Sequence, residues 1–142
     1  MNGTILTFLT VFFTVNYTIA QEVYGKWKTI DDITGEAKSI VEIYKKNGKA
    51  YGKVVEILNP EKRNDKCINC TGADKNKPIL GMEILKDLKK NGSEYSGGTI
   101  TDPNTGKIYK ALMELENPNK LKVRGYIGFS LMGRSQYWER FE

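Results

Sequence analysis

The chain contains no histidine, which removes the commonest metal ligand, the commonest general base and every Ser-His or Cys-His nucleophile pair. Two cysteines, some carboxylates and some arginines remain as carriers of chemistry. Cys67 and Cys70 form a CxxC, but two thiolates without histidine cannot complete a four-ligand zinc site within one chain. A redox CxxC opens a helix in a βαβ unit, whereas this one is flanked by Asn-Asp-Lys and Thr-Gly-Ala-Asp. The pair is expected to form a disulfide, a small ring that staples a loop for about 2 kcal/mol before strain is subtracted.

Paired carboxylates are the remaining route to general acid-base work. Asp31, Asp32 and Asp102 are the candidates, but all three stand where turns use Asp to bond their own backbone. Neither segment supplies the alternating oxygen ligands of an EF-hand. The Gly-Lys pairs at 25–26, 48–49 and 106–107 lack the spacing and following helix of a phosphate loop. The expectation is a protein that is not an enzyme, with no catalytic residue, bound metal or cofactor.

The elements that must position these residues are short segments rich in Val, Ile, Tyr and Thr, separated every 8–12 residues by turn chemistry. Strands are expected at Gly25–Ile30, Ser39–Lys45, Ala50–Leu58, Leu80–Leu85, Ser96–Thr101, Ile108–Leu115, Lys120–Ile127 and Arg134–Phe141. Glu83–Lys90 also suits a short helical turn by composition. Asn47-Gly48 and Asn91-Gly92 are hairpin formers. An internal echo recurs about 70 residues apart: Thr29-Ile30, then Asp32 and Thr34-Gly35, is matched by Thr99-Ile100, then Asp102 and Thr105-Gly106. The 20 residues from Asn59 to Pro78 break this rhythm, carry the cysteines and several basic side chains, and offer almost nothing to bury.

The fold class expected is all-β: an antiparallel up-and-down barrel of about eight strands, since closure removes both sheet edges. Closure makes the first and last strands neighbours, so Gly25, Trp27 and Arg140 are expected to lock the seam by a guanidinium over an indole, favourable by about 0.5–2 kcal/mol.

Residues 1–20 carry none of the 22 basic and 17 acidic side chains. An apolar run from Ile5 to Val15, followed by small residues at Thr18 and Ala20, reads as a signal peptide cut before Gln21. A single domain then spans 21–142, expected to be periplasmic or secreted, monomeric and without an integral membrane segment. The formal net charge of +5 is spread over loops and strands, and no nucleic-acid motif appears.

Alternation places Tyr109, Ala111, Met113 and Leu115 on one face of the sixth strand, and Arg134, Gln136, Trp138 and Arg140 together on the eighth. With Arg140 at the barrel end, Arg134 and Gln136 point into the lumen. The candidate ligand-binding set is Tyr109, Met113, Arg124, Tyr126, Arg134 and Gln136. Arginine and glutamine among aromatics suit a small amphipathic ligand with an anionic head, such as a fatty acid. The competing reading is a lumen filled by side chains, in an envelope interaction module that meets partners through the 59–78 loop.

A Gly-x-Trp on the first strand with an Arg on the last resembles the signature of lipocalin-type (calycin) barrels. Further pieces are similar to an exported bacterial family, domain-of-unknown-function family 2147: Gly-Lys-Trp-Lys-Thr-Ile-Asp-Asp over 25–32, Ile-Leu-Gly-Met over 79–82, Gly-Gly-Thr-Ile-Thr-Asp-Pro-Asn-Thr-Gly-Lys-Ile-Tyr over 97–109, Leu-Lys-Val-Arg-Gly-Tyr-Ile-Gly over 121–128 and Gly-Arg-Ser-Gln-Tyr-Trp-Glu-Arg over 133–140. The resemblance implies a lipocalin-like barrel in the bacterial envelope, with no established activity.

Overall fold

The computed structural model describes residues 2–5, 7–15 and 22–142. The expected cleavage site lies outside the described residues. Residues 2–5 and 7–15 are exposed and carry no regular secondary structure, and no helix among the described residues is long and apolar enough to cross a membrane. Among the described residues every strand and every core side chain lies at or after Val23.

Eight strands close into an antiparallel barrel in chain order: β1 (Gly25–Ile30), β2 (Ala37–Lys46), β3 (Lys49–Ile57), β4 (Glu83–Asn91), β5 (Glu94–Thr101), β6 (Ile108–Asn117), β7 (Lys120–Tyr126) and β8 (Gly133–Arg140). The seam is the β1–β8 pairing, in which Trp27 stands opposite Arg140. Tight hairpins gather at one end, where Asn47 (φ 53°) and Gly48 (φ 76°) take the left-handed pair that matches strand twist. The longer connections, 31–36, 58–82, 102–107 and 127–132, all lie at the other end.

The strand expected at Leu80–Leu85 is displaced to Glu83–Asn91, and the helical alternative over Glu83–Lys90 is not adopted. Ala50 pairs with Leu88 and Gly52 with Leu85, so three steps on β4 meet two on β3. This is a bulge, and Asp87 within it has φ 59°. It turns Leu85 and Leu88 to the same side, a spacing of three that resembles a helical period in sequence.

The 59–78 loop buries more than its composition suggests. Cys67 and Cys70 are disulfide-bonded with Cα atoms 5.3 Å apart, and both are buried. Backbone bonds from Cys67 N to the Lys77 carbonyl (2.8 Å) and from Asn76 N to the Cys67 carbonyl (2.9 Å) fold the loop back on itself. Two single-turn 3-10 helices, Pro60–Lys62 and Gly72–Asp74, complete it.

Candidate functional site

The hairpin half of the lumen is solid. Trp27, Leu88, Met113 and Leu121 are fully buried there, and Trp27 Nε1 donates to the Val23 carbonyl at 2.8 Å. Arg140 covers this plug, its guanidinium carbon 4.2 Å from the Trp27 ring centroid. Its nitrogens donate to three carbonyls: Pro118 (2.6 Å), Tyr24 (3.1 Å) and Glu22 (2.9 Å). Burial pulls the pKa of this guanidinium down. Gly25 is required for the close approach: it has φ +125°, and a Cβ there would stand 2.6 Å from the Glu142 carbonyl oxygen and 3.2 Å from Arg140 Nη1.

Toward the long loops the lumen opens into a chamber of about 1040 Å³ to which all eight strands contribute. Val54, Ile57, Ile84, Ile100, Val123 and Trp138 make its walls and floor, and five of the six are buried. Higher up, Thr29 and Ser39 share a hydroxyl pair at 2.8 Å, and Trp138 Nε1 donates to Gln136 Oε1 at 3.0 Å. The result is an apolar basin with a small polar collar, the usual make-up of a small-molecule pocket.

Two similar turns stand on the rim. Asp31 Oδ1 accepts from Ile33 N (2.8 Å) and Thr34 N (2.9 Å), and Gly35 N returns to the Asp31 carbonyl. Asp102 Oδ1 accepts from Asn104 N (2.9 Å), and Gly106 N returns to the Asp102 carbonyl. The echo is two copies of one Asp-x-x-Thr-Gly turn, but its register differs from the expected one: the carboxylate equivalent to Asp102 is Asp31, not Asp32, because Asp31 is the one that caps its turn. The backbone N–H groups of Thr34 and Ile33 hold the Asp31 carboxyl below its ordinary range, the opposite of what a general acid at neutral pH requires. Among the described residues no group of three His, Cys, Asp or Glu side chains could hold a metal ion.

Asp32 has no counterpart in the second turn, where Pro103 stands. It does not cap a turn but reaches Arg134, whose Nε donates to Oδ2 (2.9 Å) and whose Nη2 lies 2.7 Å from each carboxylate oxygen. Gln136 Nε2 adds a longer bond to Asp32 Oδ1 at 3.4 Å. Arg134 therefore sits at the chamber mouth with its charge answered by Asp32 and not open to an anionic head. The Asp-x-x-Thr-Gly alignment carried the signal: it assigns the cap to Asp31 and leaves Asp32 over.

The expected lumen set divides accordingly. Tyr109, Arg134 and Gln136 line the chamber, and Tyr126 meets its rim at the end of β7. Met113 faces inward but belongs to the packed half, below the chamber. Arg124 is outside: it lies on the outer face, donating to the Ser130 carbonyl (2.6 Å) and Ser135 Oγ (2.9 Å), as its alternation with Val123 and Gly125 requires. The apolar walls from β3, β4 and β5 escaped sequence reasoning because lumen height is invisible to a period of two.

The disulfide loop forms one side of the mouth, contributing Asn59, Lys62 and Asp65 to its lining. It rests on the second rim turn: Asn69 Nδ2 donates to the Asn104 carbonyl at 3.3 Å, and Cys67 Sγ lies 3.3 Å from the Pro103 carbonyl oxygen. Gly106 (φ +73°) has no room for a side chain, because a Cβ would overlap the Asn69 carbonyl.

Residues 25–140 match the family described as uncharacterized proteins conserved in bacteria (DUF2147). Among solved structures, the chain resembles Helicobacter pylori protein HP1028, described as belonging to the lipocalin family, with a TM-score of 0.76 and 22% sequence identity over 87% of this chain and 85% of that one. At that identity the likeness establishes a shared lipocalin-like fold. None of the curated proteins matches the sequence.

Proposed function

The chain belongs to the bacterial DUF2147 family, and from that footing we propose that it is an exported binding protein that holds a small apolar or amphipathic molecule in the open half of its barrel. The observation that carries this reading is the chamber of about 1040 Å³, walled by buried aliphatic side chains and a tryptophan below a collar of hydroxyl and amide groups. Burying an apolar ligand against such walls is favourable by about 25 cal/mol per Å² removed from water, before the entropy of capture is subtracted. With Arg134 paired to Asp32, the ligand's polar end meets hydrogen-bonding groups at the rim, and its apolar body supplies most of the affinity. The charge-free leader and the disulfide support export.

The test is native mass spectrometry of the purified protein, followed by titration with fluorescent fatty acids and uncharged long-chain alcohols. The expected result is a saturable site that Val123→Trp, which projects an indole into the chamber, weakens at least about tenfold, the loss that 1.4 kcal/mol produces. Equal binding by wild type and variant, or no binding of any lipid class, would overturn the proposal.

A further inference from the structure

The connection between β7 and β8 is unlike the other three connections at the mouth. Residues 127–133 read Ile-Gly-Phe-Ser-Leu-Met-Gly and hold no charge, whereas the other connections at that end all carry charged side chains. Its apolar side chains face solvent: Phe129 is 81% exposed, Leu131 89% and Met132 70%. Ile33, 77% exposed on the neighbouring β1–β2 turn, adds to the patch across the barrel seam. A bonded turn holds them there, with Met132 N on the Phe129 carbonyl (2.9 Å) and Ile127 N on the Met132 carbonyl (3.3 Å).

At the base of this loop stands Arg124. Its two partners, the Ser130 carbonyl and Ser135 Oγ, are neutral, and no carboxylate lies within ion-pair distance of it among the described residues. The Arg134–Asp32 pair beside it is internally neutral. A bare apolar tip above an uncompensated cation is the arrangement that suits a lipid surface, with apolar side chains in the acyl boundary and the guanidinium at the anionic headgroups. With Ile127, also 67% exposed, the five side chains offer roughly 600 Å², still less than the about 800 Å² that each partner contributes to a standard protein interface. A second copy of the chain is therefore a poorer occupant than a membrane, which sets no minimum area.

We propose that the 127–132 loop, with Ile33, docks the barrel mouth onto an anionic lipid surface. Ile33, Ile127 and Met132 also border the chamber, so docking turns its opening toward the bilayer and away from water. Docking through the loop, Ile33 and Arg124 does not require the chamber to be occupied.

The test uses the mature chain from Gln21 onward, which holds every strand and core side chain of the described residues, and vesicles of three parts phosphatidylethanolamine to one part phosphatidylglycerol. Flotation is expected to carry wild-type protein with the vesicles, less so at high salt, and Phe129→Ser with Leu131→Ser to reduce the bound fraction at least about tenfold. In a second readout, Phe129→Trp should shift its emission to the blue on vesicle addition, while the buried Trp27 and Trp138 contribute a constant background. Equal flotation of wild type and the double variant overturns the proposal. So does an unshifted Phe129→Trp spectrum, or a solution dimer that the same two substitutions dissociate.

Discussion

Arg140→Ala isolates what holds the barrel shut. The guanidinium makes three charge-assisted bonds to carbonyls of Glu22, Tyr24 and Pro118 and lies over Trp27. It thereby ties the N-terminal approach, the first strand and the β6–β7 hairpin to the last strand. Two of the carbonyls are solvent-accessible, so water replaces the lost donor and each bond is worth about 0.5–1 kcal/mol net. The Tyr24 carbonyl is partly buried, and leaving it unpaired costs about 1–2 kcal/mol. Uncovering the Trp27 face adds about 1 kcal/mol, while relief of the guanidinium's own desolvation offsets part of the total.

The sum is a destabilisation of about 2–4 kcal/mol. For a domain of this size that lowers Tm by about 10 °C. Thermal melts followed by near-UV circular dichroism, which reports the packing of Trp27, would measure it. Arg140→Lys is the informative companion, since one ammonium retains the charge but cannot serve three divergent carbonyls; it should lose more than half as much as Arg140→Ala. A fall of less than about 2 °C in Arg140→Ala, equivalent to under 1 kcal/mol, would refute the assignment of seam closure to this residue. Equality of Arg140→Lys with wild type would instead show that charge alone matters.

The two rim turns provide an internally controlled pair. Gly35 (φ +74°) and Gly106 (φ +73°) have the same conformation, but only Gly106 is pressed against another segment, so Gly35→Ala should cost about 1 kcal/mol of backbone strain and Gly106→Ala clearly more. Gly106→Ala should also speed reduction of the Cys67–Cys70 disulfide by added thiol, and equal effects at the two glycines would refute the docking of the 59–78 loop. Asp32→Asn removes the partner of Arg134 and should tighten binding of a fatty-acid carboxylate severalfold while leaving a long-chain alcohol unchanged; the same change for both ligands would show that Arg134 does not meet the head. Acid should destabilise the fold through Asp31 and Glu83. Backbone N–H bonds hold Asp31 below its ordinary pKa. At Glu83 partial burial pushes upward, but bonds from Tyr44 and Lys46 outweigh it, and the pKa is lowered. A folded-state pKa below the unfolded one gives stability that is complete above the ordinary carboxylate range and is lost as pH falls through the folded-state pKa. Asp31→Asn with Glu83→Gln should flatten that loss in acid-titrated urea melts, and an unchanged slope would exclude both groups.

How far the sequence revealed this arrangement depended on the range of the physics involved. Asn47-Gly48 and the Asp-x-x-Thr-Gly turns were legible because their backbone geometry is set within five residues. The seam was legible because closing eight strands brings the first beside the last, and Trp27 and Arg140 are a recognisable pair. The β4 bulge was not: it places Leu85 and Leu88 on one side by adding a residue against β3, and only pairing with another strand reveals it. Arg124 shows a different limit. Its chemistry suited a ligand, but its place in the alternation sent it outward, and position outweighed residue type.

Height along the barrel axis explains the remaining differences. Met113 and Tyr109 share a face of β6, yet four residues separate a side chain sealed in the plug from one lining the chamber. The plug is sealed because large side chains from several strands meet there beneath Arg140. Above it, Thr29, Ser39 and Gly125 are small, and the space they leave is the chamber. A filled lumen and a hollow one are thus not exclusive in this barrel: the first occupies the hairpin half and the second the half with long loops. The lumen-facing arginines follow the same division, Arg140 committed to carbonyls at the sealed end and Arg134 to Asp32 at the open one. If the chamber binds as proposed, selectivity falls to the shape of the aliphatic walls and to the Thr29–Ser39 and Gln136–Trp138 pairs. On the binding reading proposed above, resizing Val54, Ile100 or Val123 changes which apolar body fits, while freeing Arg134 from Asp32 changes which head is accepted.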